Sequence, residues 1–556
     1  MRHTASIAIV GTLIASLAAC DAPYDPDAPA IDPNAPRVHI LSPERGTFAG
    51  DVATVEVRGT ALDDTMVTSV TVNGVAAVVE EDGSFHATVP VTPGTNLLHA
   101  VAKDPQGNTG KETRAVVAGK LSTLDRMVPK GITATLSAQT FDALGRGAAG
   151  FLAQGDLQAL IAPANPVVDL NTTDGEPDCN YGQAYVTGVD VGAADVQLVP
   201  QTGGIGLDVT LDSVAIASHL QWALLCIDGS RDAIATASKL KIRGMLKVGV
   251  SAGGFAIRLE GTNVTLTSFN IDLGGVPQKI IDLLDLDTRL GPVIAWAVER
   301  FVVPMLNDAF AGLNETRSVD LLGKTIDVKV APARIDFSVA GAVVALDTEL
   351  RARGDEQSPG WVYVPNQAPA MDTSHGFQLA VADDAANQLL GSFWAAKGMD
   401  LAFDLENGPY GQIGTLFNRV ELAAKVPPHV DATGDALHLT IGDFLATFKN
   451  DGVIATQVAI NARIDLEVVT DATGALRLDV GTPTTYVDIL DENVDGSNPL
   501  SKAQFEAITT FALSRVAAFG SEAVGTVPLP SIGGVSVQDV QVGPQAGYLV
   551  VDGQVQ

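Results

Sequence analysis

The sequence predicts a mostly β chain with long helices, an α+β protein of more than one domain. Three observations carry this. Long stretches alternate apolar and polar residues with a period of two, as strands with one buried face do. Glycine numbers 55, methionine seven, and aromatics make up 5%, a composition of strands and turns over an aliphatic core. The 556 residues, 46% of them hydrophobic, exceed an ordinary single domain several-fold. Lys and Arg total 34 against 65 Asp and Glu, a formal net charge of −31. Such a chain repels phosphate backbones, so no nucleic-acid partner is expected. After the N-terminus no apolar run reaches ~18 residues, which argues against a polytopic membrane protein.

Residues 1–19 read as a signal peptide, with Arg2 as a short basic region and Ile7 to Leu17 as the apolar segment. Leu17-Ala18-Ala19-Cys20 resembles a bacterial lipobox, which implies cleavage before Cys20 and lipidation of its thiol. The alternative is an ordinary signal peptide with a cysteine nearby. Residues 20–36 follow as a linker rich in Pro, Asp and Ala, of extended polyproline character. These features predict a bacterial envelope protein, held by its lipid on the periplasmic side of a membrane or at the cell surface. The two remaining cysteines, Cys179 and Cys226, are an even pair in an oxidising compartment. A disulfide is expected, with two buried thiols as the alternative.

From 37 to 119 short alternating strands are separated by turn signals. Val55 and Val57 flank Glu56, and Val70 and Val72 flank Thr71. Asn73-Gly74 is a type I′ hairpin signal and Asp82-Gly83 a second. Ser42-Pro43, Val72-Asn73-Gly74, Gly83-Ser84-Phe85, Pro93-Gly94-Thr95-Asn96, Ala102-Lys103-Asp104 and Gly107-Asn108 together resemble a bacterial immunoglobulin-like module of the B type found beside glucodextranases. The resemblance implies a β-sandwich spacer and says little about function.

From 121 onwards a pattern repeats. A short strand, Gly131 to Leu136, precedes a helical stretch with Phe141, Leu144, Phe151 and Leu152 on one face. Long strands follow through Ile205/Leu207/Val209/Leu211, Leu240/Ile242, Phe255/Ile257/Leu259 and Val264/Leu266. A helical pattern then runs from Pro277 to about Leu313, with Leu290, Ile294, Val298 and Phe301 on one face and Pro292 and Pro304 as expected kinks. The second half has its own strands, a helix carrying Leu389, Leu390, Phe393 and Trp394, a last helix from about Ser501 to Ala523, and closing strands at Val535/Val537 and Tyr548/Val550. Two tandem units are expected, 121–340 and 341–556.

Three segments carry a resemblance: GITATLSAQTFDALGRGAAGFL, GFQLAVADDAANQLLGSFWAAKGMDLAFDL and VPLPSIGGVSVQDVQVGPQAGYLVVDGQVQ. They resemble the tubular lipid-binding family of bactericidal/permeability-increasing protein, lipopolysaccharide-binding protein and cholesteryl ester transfer protein. That resemblance implies a boomerang of two barrels, each a curved antiparallel sheet wrapped on a long helix, with an apolar tunnel for acyl chains. It assigns the lining to Phe141, Leu144, Phe151, Leu290, Ile294, Val298, Phe301, Leu389, Phe393 and Trp394. Without the resemblance, the same side chains read as a solid core. Two departures matter. Vertebrate members tie a strand to the long helix by a disulfide, and 277–313 contains no cysteine. Members that bind lipopolysaccharide use a basic tip, which a net charge of −31 does not match. Endotoxin neutralisation is therefore not implied.

Catalytic signals fail on context. Gly249-Val250-Ser251-Ala252-Gly253 fits GxSxG, but it lies between two alternating strands rather than at a strand-to-helix turn. Gly323-Lys324-Thr325 ends like a P-loop, yet its first glycine position is Ser318. The eight histidines, among them His39, His86, His99 and His438, show no metal spacing. Asp491, Asn493 and Asp495 resemble half a calcium loop whose twelfth position is Lys502 in place of Glu. An acidic turn capping the following helix explains the same residues. The expectation is a non-catalytic, membrane-anchored protein without cofactor that binds or transfers a phospholipid-like, acyl-chain lipid. The alternative is an adhesion or envelope-assembly protein without a free lipid cavity.

Overall fold

The computed structural model describes residues 34–171, 179–251, 254–278, 281, 317–321, 323–366, 368–374, 376–406, 413–434, 436–470, 476–492, 500–510 and 537–555. Cys20, Leu290, Ile294, Val298, Phe301, Asn493 and Asp495 lie outside them.

The N-terminal module is a two-sheet sandwich. One sheet orders Arg37–Ser42, Thr54–Leu62, Ser84–Pro90 and Val78–Val79. The other orders Thr47–Gly50, Thr109–Ala118, Gly94–Lys103, Ser69–Val72 and Val75–Ala76. Alternate residues of both face inward, so Ile40, Val57, Val72, Phe85, Leu98 and Val116 form one core. Asn73 (φ 50°) and Gly74 (φ 80°) form the expected I′ turn.

The first half of the body is a curled antiparallel sheet of Val168–Asn171, Asn180–Gln201, Gly204–Leu224, Ile227–Ser251 and Gly254–Thr267, with Asn270–Ile271 added to the fourth strand. The period-two reading holds: Ile205, Leu207, Val209, Leu211, Leu240, Ile242 and Leu246 are all buried on one face. At 21 to 25 residues the central two strands extend about 70–80 Å. Strands this long cannot stay flat, because each adds right-handed twist and the twist accumulates. The helix Ala138–Gln154 lies in the concavity, started by Ser137, whose hydroxyl accepts from the Thr140 amide.

A central sheet joins the halves. Its order is Arg317–Leu321, Lys324–Ser338, Gly341–Ala352, Val128–Ser137, Phe377–Ala382, Tyr548–Val555 and Val537–Gln545, antiparallel throughout. Residues on the two sides of position 340 pair in one hairpin, with Asp336 opposite Val343, so the expected division at 340/341 falls in a tight turn inside this sheet.

The second half has its own sheet of Leu401–Asp404, Arg419–Ala424, Leu437–Asn450, Val453–Thr470 and Leu476–Val480. His429–Asp431 pairs with its third strand and Thr484–Glu492 with its fourth. Its core stacks Phe417, Phe448 and Phe505, with ring centroids 4.8 and 5.4 Å apart.

Long helices under each sheet were expected, and the described residues show shorter ones. The longest spans 17 residues, Asp383–Ala395 spans 13, and the last helix is helical over 502–510 within the described range. The helix Asp383–Ala395 has a definite stop: Lys397 takes φ 59°, its amide donates to the Trp394 carbonyl, and the Gly398 amide donates to that of Phe393.

Candidate functional site

The concave face of the first sheet is apolar along its length. The helix Ala138–Gln154 buries Phe141, 2% exposed, against Val196, Leu198, Ile205 and Ala342, with Leu144 and Leu152 half-buried beside it. Seventeen helical residues span about 25 Å, roughly a third of the strands they lie on. Along the outer strand Phe255, Leu259, Val264 and Leu266 continue the same apolar row and are half-buried. Phe151 departs from its assigned place. Its ring lies over Gly155 at the helix end and is 44% exposed, so it does not line this face.

The second helix sits elsewhere than expected. Asp383–Ala395 packs on the central sheet, where Leu389 and Phe393 join Ile326, Val328, Ala352, Ala396 and Met399. Trp394 faces the N-terminal module: its indole stacks on Phe48 at 5.9 Å and its Nε1 donates to the Ala424 carbonyl at 2.8 Å. Leu389 and Phe393 therefore pack the central sheet, Trp394 meets the module, and among the described residues the core of the second half includes none of the three. The reason is the helix's other face, which is polar and buried. Gln388 accepts from the Leu350 amide and donates to the carbonyls of Leu124 and Arg126. Asn387 makes a two-way bridge with Val430. Ser392 accepts from the Ala352 amide and donates to Asp355. Asp383 accepts from Ala432 and Asn366, and Asp384 from Val364. One helix thus joins four separate chain segments through hydrogen bonds that burial makes costly to break.

Burial pushes both carboxyls up, Asp383 to about 6 and Asp384 to about 7, and each also feels a neighbouring carboxylate, Asp431 for the first and Asp383 for the second. The adjacent Tyr548 hydroxyl is raised to about 12, by burial and by these acids.

The N-terminal module is not a free spacer; it is docked on the second half through a buried ionic cluster. Arg45 donates to Glu112 (3.1 Å), to the Thr113 carbonyl (3.0 Å) and to Asp443. Arg114 donates to Glu112 at 2.9 Å. Asp443, 0% exposed, also accepts from the Ala115 amide, and its own amide donates to Asn461. Asp488 accepts from the Thr113 amide and from Lys502, which also reaches the Lys111 carbonyl. Three cations and three carboxylates balance, which is what makes their burial tolerable. Around them Thr95 donates to the Pro427 carbonyl, the His99 ring lies 4.6 Å from Tyr486, and Ala115, Val117, Val362 and Val426 form an apolar seam. Burial pushes the Asp443 carboxyl up against the pull of Arg45.

Cys179 and Cys226 form the disulfide. It ties the turn between Gly204–Leu224 and Ile227–Ser251 to the start of the neighbouring strand Asn180–Gln201; the two central residues of that turn, Leu225 (φ 52°) and Cys226 (φ 64°), are left-handed without being glycine, and the Cys226 amide donates to the Cys179 carbonyl. Ser251 of the GxSxG match pairs with Gly254 across a strand-to-strand hairpin, not the strand-to-helix elbow a nucleophile needs. Asp491 lies in a strand opposite Gln457.

Comparison with solved structures finds a similarity to lipopolysaccharide binding protein at 13% identity and a TM-score of 0.38, covering 77% of this chain and 99% of that one. P47 of Clostridium botulinum E1 matches at 6% identity and a TM-score of 0.24, over 78% of this chain and 100% of that one. No curated protein matches the sequence at a significant level. Residues 36–119 match the family model of glucodextranase, domain B.

Proposed function

We propose that this protein is a non-catalytic binder of acyl-chain lipid, held at a membrane of the bacterial envelope by a lipid on Cys20. The observation that carries the reading is the concave face of the first sheet. Its apolar rows are longer than the helix that lies on them, and Phe255, Leu259, Val264 and Leu266 on the outer strand are half-buried. An acyl chain laid along such a row gains ~0.8 kcal/mol per buried CH₂, so affinity follows from length and needs few polar contacts. The acidic balance favours a ligand held by its tails over one held by phosphate. The three sequence segments that resemble tubular lipid-binding proteins support the same reading, and the GxSxG hairpin gives hydrolysis no elbow.

Native mass spectrometry of the full chain, with lipid extraction, tests the proposal. Co-purifying acyl lipid at about one or more per chain is expected, and Leu259→Glu together with Val264→Glu should abolish it. Protein that carries no lipid under gentle conditions, and takes none from vesicles of phosphatidylethanolamine, would refute it.

A further inference from the structure

We propose that the dock between the N-terminal module and the second half is an acid-sensitive latch, in which the imidazoles of His429 and His99 must be neutral for the module to stay seated. The geometry places both rings in the dock. The His429 ring lies against the α-carbon of Gly94, on the module, so closely that a side chain at Gly94 would collide with it. Gly94 itself takes φ +108°, a conformation that suits glycine. His99 comes from the module. It lies on Tyr486 of the second half, and its Nδ1 shares a hydrogen bond with the Thr113 hydroxyl at 2.8 Å.

A proton on either ring adds charge to a contact that is already balanced. Around His429 the charged neighbour among the described residues is Asp431, on its own strand; from the module it meets backbone. Burial holds that imidazole down to about 4 despite Asp431. Around His99 stand Lys111 and Lys502, which repel a proton, and Asp488, which attracts one; burial is the larger cause of its lowered value. Thr113 links His99 to the ionic cluster: its hydroxyl bonds His99, its carbonyl accepts from Arg45 and Asn461, and its amide donates to Asp488.

The sign follows from proton uptake. Once the module lifts, both rings return to ordinary basicity near 6.5. The lifted form then binds protons the seated form refuses, so acid favours lifting. For His429 alone, the drop from 6.5 to about 4 multiplies the lifting equilibrium about 25-fold at pH 5 relative to pH 7.5. His99 adds to this. Asp443 acts in the opposite sense, because its raised value makes the seated form the better proton acceptor. Glu112 and Asp488 stay paired with Arg45, Arg114 and Lys502, and His39 sits at the outer edge on Glu112.

The amides of Thr113 and Ala115 report the latch directly, since both donate to carboxylates of the second half. Hydrogen exchange of the full chain should be measured at pH 7.5 and pH 5 and corrected for intrinsic rates. We expect exchange at these two amides to rise at least about fivefold at pH 5 after Asp443 is allowed for, while Val209 and Ile242 in the first sheet stay protected. His429→Gln should remove most of the rise. If wild-type exchange at Thr113 and Ala115 is the same at both pH values, or if His429→Gln shows the full rise, the latch is wrong. Should the variant fail to seat even at pH 7.5, NMR titration of the wild-type His429 ring decides. A midpoint below pH 5 supports the latch and one near 6.5 overturns it.

Discussion

The buried acids at the start of the Asp383–Ala395 helix invert the usual effect of pH on stability. Asp384 titrates at about 7 in the fold against a reference value of 3.8. A raised value means the fold prefers the neutral carboxyl. The stabilisation is therefore fully present below pH ~4 and is lost as pH rises through ~7. Three units at 1.36 kcal/mol each give an upper bound of about 4 kcal/mol, which relaxation and water penetration should reduce to about 1–3 kcal/mol. Asp384→Asn keeps an oxygen to accept from the Val364 amide and cannot ionise. The variant should come closest to the wild type at pH 4 and exceed it increasingly up to pH 8, read as the urea midpoint at each pH with an unchanged slope. Infrared difference spectra should show a protonated carboxyl in the wild type at pH 6 that the variant lacks. If Asp384→Asn is no more stable than wild type at pH 8, and the wild type gains stability between pH 5 and 8, the reasoning fails.

Other perturbations follow from the same contacts. Arg45→Met leaves Asp443 buried without its cation, so it should weaken the dock by about 3–5 kcal/mol; proteolysis between the module and the body should accelerate. Gln388→Leu strips partners from Leu350, Leu124 and Arg126 and should cost about 2–4 kcal/mol by thermal unfolding. Cys179→Ser with Cys226→Ser opens a link between residues 47 apart, an expected loss of about 2–4 kcal/mol seen as a lower urea midpoint. Cys20→Ala should move the protein from washed membranes to the soluble fraction; persistence in the membrane pellet after a high-salt wash, which screens charge contacts, would count against the lipid anchor.

Much of the β architecture was legible because period-two alternation is a local signal. Ile205 to Leu211 and Leu240 to Ile242 read as half-buried strands and are so. The I′ turn at Asn73-Gly74 was legible for the same reason, since positive φ at both positions selects those residues. What stayed hidden is long-range. Nothing near Val128–Ser137 in sequence announces that it pairs with both Gly341–Ala352 and Phe377–Ala382. The helix at 383–395 was read by its apolar side chains, yet Asp383, Asp384, Asn387, Gln388 and Ser392 decide where it sits. Their spacing along one face was available as a signal, but polar residues at helical spacing ordinarily mean a solvated face. Trp394 illustrates the same limit: its partner Phe48 belongs to a module whose resemblance implied only a spacer. The charge balance at the dock was beyond reach, because Arg45, Glu112, Asp443 and Asp488 come from four distant stretches.

The central sheet also dictates an order of events as the chain folds. Val128–Ser137 is made early, but its neighbour Phe377–Ala382 follows much later, and that strand is covered in turn by Tyr548–Val555. Until the last of these arrives, Phe377–Ala382 presents an open edge, the kind of template that recruits stray strands. Contacts so distant along the chain make folding slow and leave intermediates open to misassociation. The middle of the molecule therefore closes late, and a chain kept from pairing until Tyr548–Val555 is free would avoid the hazard.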